Sequence, residues 1–88
     1  MDFDEFRYQL TLHARKAIRE RRIKLEWIDR VLSSPQKVLK DKDDPQLEHA
    51  LGTIQEYGNR ILRVIYNKKT NPYIIVTVYF DRKLKGML

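Results

Sequence analysis

Four side chains in this 88-residue sequence are of the types needed to cleave RNA without a metal ion: His13, Arg63, Tyr79 and Arg82. Such a reaction needs a group that takes the 2′-hydroxyl proton, a cation that stabilises the phosphorane and an acid for the leaving oxygen. Imidazole carries protons near neutral pH, and guanidinium matches phosphate oxygens with two parallel hydrogen bonds. We therefore predict His13 as the proton carrier and Arg63 and Arg82 as phosphate-binding groups, with Tyr79 and Thr77 orienting the substrate.

Structural roles compete with these catalytic ones. A lone histidine near the start of a helix is more often a capping or hydrogen-bonding group than a catalyst. Arg21 falls on an otherwise apolar helix face and needs an acceptor, so we predict a structural ion pair between Arg21 and Asp81. His49 follows a loop without regular context, which suits a surface position as well as a site. No spacing of histidines and carboxylates indicates a metal site, and no metal or cofactor is expected.

A second group of cations is predicted to bind RNA phosphates or a partner. Arg15, Arg19 and Arg22 share one helix face at i, i+4 and i+7, and Arg60 begins a predicted strand. A run of charge on a helix is usually a solvated face, so the alternative is plain surface.

Composition limits the classes of function. The chain carries 18 Lys and Arg against 12 Asp and Glu, a formal net charge of +6, which favours RNA or an acidic protein as partner without separating the two. It contains no cysteine, which excludes disulfides and thiolate sites and agrees with a cytoplasmic protein. The apolar runs are far shorter than the roughly 20 residues of a membrane-spanning helix, and three glycines leave no phosphate-binding glycine loop.

These side chains must be positioned by one domain over residues 1–88, for which we predict an α+β fold of two layers. Residues 5–12 alternate between apolar and polar types and suit a first strand, although Phe3, Phe6 and Leu10 also fit a helical stripe. Residues 12–33 hold two helices, the first capped by Thr11. The two helices would cover one face of a three- to four-stranded antiparallel meander over residues 36–82, followed by a basic tail at 83–88.

Within the first helix we expect Ala14, Ala17 and Ile18 to be buried. The second helix is predicted from Leu25 to Ser33, with the apolar stripe formed by Leu25, Ile28, Val31 and Leu32.

The meander is predicted strand by strand. We expect strands over residues 36–40, 53–57, 60–66 and 73–82, while residues 46–51 form a helical turn or a plain connection. Gly58 and Asn59 make a turn that tolerates positive φ.

The register of the last hairpin follows from its apolar faces. The even positions of the last strand, Ile74 to Phe80, are apolar and are expected to pack with Leu62 and Val64. The opposite, open face would then carry Arg63, Thr77 and Tyr79.

Two blocks of this sequence resemble the bacterial domain-of-unknown-function family 4258. The first block comprises His13-Ala14, Glu20-Arg21-Arg22-Ile23, Leu25-Glu26-Trp27-Ile28 and the Ser34-Pro35 break. The second comprises His49-Ala50-Leu51, Glu56, Arg60 to Tyr66 and Thr77 to Arg82. The sequence departs from the family pattern at Arg22, Lys24 and Ala17, where a glycine, a serine or threonine, and an arginine are common.

That family is similar in plan to the small toxins of the RelE and ParE group, and the resemblance implies a toxin-like protein. The resulting hypothesis is a metal-independent endoribonuclease that acts through a basic open sheet face. The alternative is a non-catalytic basic module that pairs with an acidic, antitoxin-like protein.

Overall fold

A five-stranded mixed sheet and two helices make up the part of the chain that the computed structural model describes, residues 8–88. The α+β class is therefore confirmed. In chain order the elements are β1 (Tyr8–Leu10), α1 (Leu12–Arg21), α2 (Leu25–Ser33), β2 (Lys37–Lys40), β3 (Leu47–Ile54), β4 (Arg60–Asn67) and β5 (Tyr73–Phe80). Short 3₁₀ turns follow β3 at Gln55–Tyr57 and β5 at Arg82–Leu84. The strand order is β1-β5-β4-β3-β2, with both helices contacting β-strands of the central part.

The first strand makes the sheet mixed, which differs from the predicted antiparallel meander of three or four strands. β1 pairs in parallel with β5, Tyr8 opposite Tyr73 and Leu10 opposite Ile75. It lies within the predicted segment 5–12, of which residues 5–7 are outside the described residues. Because these partners are 65 residues apart, no local pattern in the sequence indicates the pairing.

The helices begin and end where their capping residues predict. The hydroxyl of Thr11 accepts a hydrogen bond from the Ala14 amide at 3.0 Å, and α1 ends at Arg22, whose φ of 54° is left-handed. Ala14 and Ala17 are buried, as expected, and α2 has the predicted bounds. In α2 the apolar stripe is rotated from the prediction: Trp27 is buried, whereas Leu25 is 52% exposed.

β3 is the element that the sequence prediction missed. Residues 46–51 were expected to form a turn or connection, but β3 runs over Leu47–Ile54, and the predicted strand at 53–57 is mostly the 3₁₀ turn. β3 is held on both sides, by β2 and by all eight residues of β4, so pairing overrides its weak strand propensity. The predicted turn at Gly58 and Asn59 is confirmed, with φ of 69° and 57°.

A β-bulge changes the faces of β5. Leu62 pairs with Phe80 and Val64 with Val78, as predicted, but the register shifts between Ile65 and Tyr66. Val76 is the extra residue, so the side chains that precede it in β5 lie on the opposite sheet faces from those predicted. Ile75 is therefore fully buried in the core, whereas Ile74 and Val76, which were expected there, are half-buried.

The bulge also receives the start of α1. Thr11 donates its amide to the carbonyl of Ile75 at 3.1 Å and its hydroxyl to the carbonyl of Val76 at 3.0 Å. The cap residue of α1 is thus bound to β5, which explains how a helix with little apolar surface is fixed on the sheet.

Candidate functional site: a charged network and a cationic pocket

The face of the sheet opposite the helices carries the predicted polar residues. Arg63 lies opposite Tyr79 and Ile65 opposite Thr77, which confirms the predicted register. This face is less open than expected. Leu51 and Ile61, which lie beside Arg63 on it, are each only 1% exposed.

A chain of four charged or titratable side chains crosses this face. The imidazole Nε2 of His49 is 2.7 Å from Oδ1 of Asp41, and its Nδ1 is 2.6 Å from Nη1 of Arg63. Arg63 in turn donates from Nε and Nη2 to Oδ2 of Asp81, at 3.0 and 2.8 Å. The four side chains are between 12% and 19% exposed. We call these four residues the charged network.

Proton positions within the charged network follow from the donors. Guanidinium can only donate, so Nδ1 of His49 accepts from Arg63, and Nε2 carries the proton that is donated to Asp41. This hydrogen bond is the main reason why the pKa of Asp41 is lowered, and the backbone amides of Asp44 and Asp43 lower it further. Both imidazole nitrogens are therefore occupied, and His49 orients Arg63.

Asp81 does not pair with Arg21 as the sequence predicts. Its Oδ2 binds Arg63, and its Oδ1 accepts from the amide of Lys83 at 3.0 Å, which caps the 3₁₀ turn Arg82–Leu84. Arg21 instead donates from Nη1 to the carbonyl of Val78 at 3.3 Å. A backbone acceptor was available beside the end of α1, so the arginine did not need the carboxylate.

A cationic pocket of about 580 Å³ lies at the end of β5. Four cationic residues line it, namely Arg21, Arg60, Arg82 and Lys85. The same wall contains three aromatic rings, Tyr57, Tyr79 and Phe80, and one carboxylate, Asp81, whose charge is already offset by Arg63. The pocket therefore presents an excess of positive charge beside aromatic surface.

The structure brings together only part of the predicted site. Tyr79 and Arg82 from the catalytic set and Arg60 from the binding set line the pocket, and Arg63 is joined to it through Asp81. His13 is exposed on α1 and does not line the pocket.

The other predicted binding residues are not among those that line this wall. Arg15 and Arg19 are exposed on α1, Arg22 is exposed at its C-cap, and Thr77 is half-buried on β5. Their predicted roles in binding RNA or a partner stay predictions.

Two members of the charged network were not predicted, His49 and Asp41. His49 could have been found from the alternation of side chains along β3, which puts it on the same sheet face as Arg63. This strand was not recognised from the sequence. Asp41 lies in the β2–β3 connection, and only the tertiary structure places it at His49. Across residues 8–88, no group of three His, Cys, Asp or Glu side chains is arranged to hold a metal ion.

Comparison with known proteins matches this chain to a protein family. The model of a family described as a domain of unknown function, DUF4258, matches residues 10–80. Neither the curated proteins nor the solved structures contain a match. None of the helices described within residues 8–88 has the length and apolar character to span a membrane.

Proposed function

Since the chain belongs to the DUF4258 family, a domain of unknown function, we propose its function from its own geometry: the cationic pocket binds the phosphodiester backbone of RNA. The observation that carries this proposal is that four cationic side chains line one wall, where Asp81, the single carboxylate among the described lining residues, is already bound to Arg63. Charge of one sign in a concave site attracts and retains an anion.

The types of cation favour phosphate as the anion. Three of the four lining cations are arginines, whose planar guanidinium groups donate two parallel hydrogen bonds to phosphate oxygens. The net charge of +6 would add a long-range attraction for a polyanion such as RNA.

The charged network positions one wall of this pocket through Asp81. Asp81 is fixed by Arg63 and caps the turn that carries Arg82, and Arg63 is held by His49. A cation that binds a ligand loses less conformational entropy when its backbone is already fixed. The network thus acts as a support for Arg82 rather than as a second ligand site.

Binding of a fluorescein-labelled single-stranded RNA oligonucleotide, followed by anisotropy at several salt concentrations, tests the proposal. We expect the double change Arg82→Ala and Lys85→Ala to weaken binding on the order of tenfold or more, and to reduce the salt slope by about one for each cation removed. Lys69→Ala is the matched control, because Lys69 is exposed in the β4–β5 turn at the opposite end of the sheet. Equal losses in the double variant and in the control would refute the pocket as the RNA site.

The same assay addresses an acidic partner protein, the alternative predicted from the net charge. Polyglutamate of matched charge serves as the competitor. If it displaces RNA as effectively as unlabelled RNA does, the pocket is a general site for polyanions, and a binding module for an acidic protein becomes the better account.

Metal-independent cleavage of RNA is the second candidate, favoured by the position of Tyr79 beside Arg82 in the pocket. In this proposal a solvent water takes the 2′-hydroxyl proton, the 2′-oxygen attacks phosphorus and the bond to the 5′-oxygen breaks, which leaves a 2′,3′-cyclic phosphate and a 5′-hydroxyl. Arg82 would stabilise the phosphorane, and the Tyr79 hydroxyl would donate a proton to the leaving 5′-oxygen. Neither His13 nor His49 lines the pocket, so the geometry supports binding more strongly than cleavage.

Cleavage is tested with purified RNA in the presence of EDTA, by detection of cyclic phosphate ends. We expect Tyr79→Phe and Arg82→Ala to abolish the products and His13→Ala to leave them unchanged, because His13 is exposed on α1 outside the pocket. A loss of products in His13→Ala alone would restore the role predicted from the sequence. An absence of products from the wild-type protein would eliminate cleavage and leave the binding proposal intact.

A further inference from the structure

We propose that the cationic pocket holds one nucleotide whose unpaired base stacks on the Tyr57–Arg60 pair, so that the protein selects single-stranded RNA over duplex RNA and over anions without bases. This inference rests on the proposed function and adds the substrate class. Its basis is the aromatic part of the pocket wall, which phosphate binding alone does not need.

Two rings of the pocket wall, Tyr57 and Phe80, pack with Trp27 behind them, and we call these three residues the ring cluster. Tyr57 lies 5.2 Å from Trp27 and 5.0 Å from Phe80, measured between ring centroids, and Trp27 lies 5.9 Å from Phe80. Trp27 is only 4% exposed, whereas Tyr57 is 38% exposed. The buried Trp27 and the partly buried Phe80 thus fix an accessible tyrosine ring at the pocket.

Arg60 completes the stacking surface. Its guanidinium carbon lies 4.7 Å from the centroid of the Tyr57 ring. Planar guanidinium groups and aromatic rings are the two protein surfaces on which unpaired bases stack. A tyrosine ring with an arginine guanidinium over it, inside a cationic pocket, therefore suits a base better than a carboxylate side chain, which has no ring.

The turn that carries Tyr57 is anchored beside the ring cluster. Glu56 accepts two hydrogen bonds from Arg30 of α2, at 2.9 and 2.8 Å. This bidentate pair ties the 3₁₀ turn Gln55–Tyr57 to α2, the helix that also carries Trp27. A stacking surface held in this way needs little rearrangement on binding.

The cations that would bind phosphate and the rings that would bind a base line the same pocket. Arg21, Arg82 and Lys85 line the pocket together with Tyr57 and Arg60, and the volume of about 580 Å³ falls in the range of small-ligand sites. A base in a duplex is covered by its stacked neighbours on both faces, so only an unpaired base can stack on the Tyr57–Arg60 pair.

The experiment compares two labelled oligonucleotides of equal length, an oligoadenylate and an abasic oligonucleotide with the same number of phosphates. Trp27 is the single tryptophan of the chain and lies beside Tyr57, so its fluorescence gives a second readout. We expect the wild-type protein to bind the oligoadenylate on the order of tenfold more tightly than the abasic strand. This comparison requires no variant.

Two variants then assign the preference to Tyr57. We expect Tyr57→Ala to weaken binding of the oligoadenylate much more than binding of the abasic strand, and Tyr57→Phe to retain the preference for bases. Tyr73→Ala is the matched control, since Tyr73 is 42% exposed and stacks on Tyr66 near the opposite end of β5. Circular dichroism checks that each variant is folded.

The outcomes separate this inference from the proposed function. Equal affinity of the wild-type protein for both strands, or an equal loss of both in Tyr57→Ala, would overturn base stacking while RNA backbone binding stands. Failure of both strands to bind would overturn the proposed function as well.

Discussion

Nδ1 of His49 lies 2.6 Å from Nη1 of Arg63, so the imidazole accepts a hydrogen bond from a cation. An arginine has no acceptor, and this contact therefore requires an unprotonated Nδ1. The other nitrogen is committed to Asp41. The relationship makes His49 a positioning group in the charged network, although its residue type by itself suggests acid–base chemistry.

The first prediction concerns the tautomer of His49. We expect a long-range ¹H–¹⁵N spectrum recorded at pH 8 to show the proton on Nε2 of His49, because Nδ1 accepts from Arg63. Arg63→Met removes that donor and should reduce the tautomer preference, whereas the exposed His13 serves as the internal reference in the same spectrum. A dominant Nδ1–H signal from His49 in the wild-type protein would contradict the arrangement.

The second prediction concerns the pair of Arg63 and Asp81, whose side chains are 13% and 12% exposed. Asp81→Ala should lower the free energy of unfolding by about 2–4 kcal/mol, because it leaves a largely buried guanidinium without its acceptor. Asp81→Asn can still accept from the Lys83 amide but lacks the charge, and should fall between wild type and alanine.

Urea denaturation measures these differences. Lys68→Ala is the control: its pair with Glu48 is 31% and 21% exposed, and its loss should cost no more than about 1 kcal/mol. Similar losses for Asp81→Ala and Lys68→Ala would show that the charged network contributes no more than a surface pair.

The third prediction is the pH dependence of the link between α2 and the turn before Tyr57. The hydrogen bonds from Arg30 lower the pKa of Glu56 from 4.5 to about 2. Because the folded value lies below the unfolded one, the stabilising effect is complete above about pH 4.5 and is lost as the pH falls toward 2.

A ¹³C titration of the Glu56 carboxyl group measures this pKa directly. Arg30→Gln should raise it toward the ordinary range of a glutamate, whereas Lys16→Gln, which removes an exposed partner of Glu20, should leave it unchanged. A wild-type titration of Glu56 near pH 4.5 would show that the bidentate pair does not form in solution.

The fourth prediction concerns the close approach of α2 to β3 at Gly52. A Cβ at this position would lie 2.9 Å from Cγ2 of Val31. Gly52→Ala should therefore destabilise the protein by about 1–3 kcal/mol through overpacking.

Val31→Ala supplies the test of mechanism. Combined with Gly52→Ala it removes the clashing methyl groups, so the two changes together should cost less than the sum of their separate effects in urea denaturation. Strictly additive costs would show that contact with Val31 is not the cause.

Much of the fold was predictable because its signals are local. The hydroxyl of Thr11, the left-handed turn at Gly58 and Asn59, and the helical period of α2 each depend on residues within about one turn of one another. The register that sets Arg63 opposite Tyr79 was predictable as well, because the two strands are neighbours in the chain and their apolar faces match.

The errors have a shared physical cause in long-range pairing. β3 exists because strands on both sides satisfy its backbone, and the position of the bulge at Val76 is set by the opposing strand and by Thr11 from the other end of the chain. Neither the pairing of β3 nor the position of the bulge can be predicted from a short segment of sequence.

By itself the sequence determined a basic α+β protein, its two helices, its last hairpin and the types of side chain available for binding phosphate. Only the tertiary structure decided which of those side chains meet. In the folded chain His49 lies between Asp41 and Arg63. Asp81 pairs with Arg63 and not with Arg21. Tyr57 lies beside Arg60 in a cationic pocket. The reason is that charge and ring type belong to single residues, whereas a site is a set of distances between residues that the folded chain alone fixes.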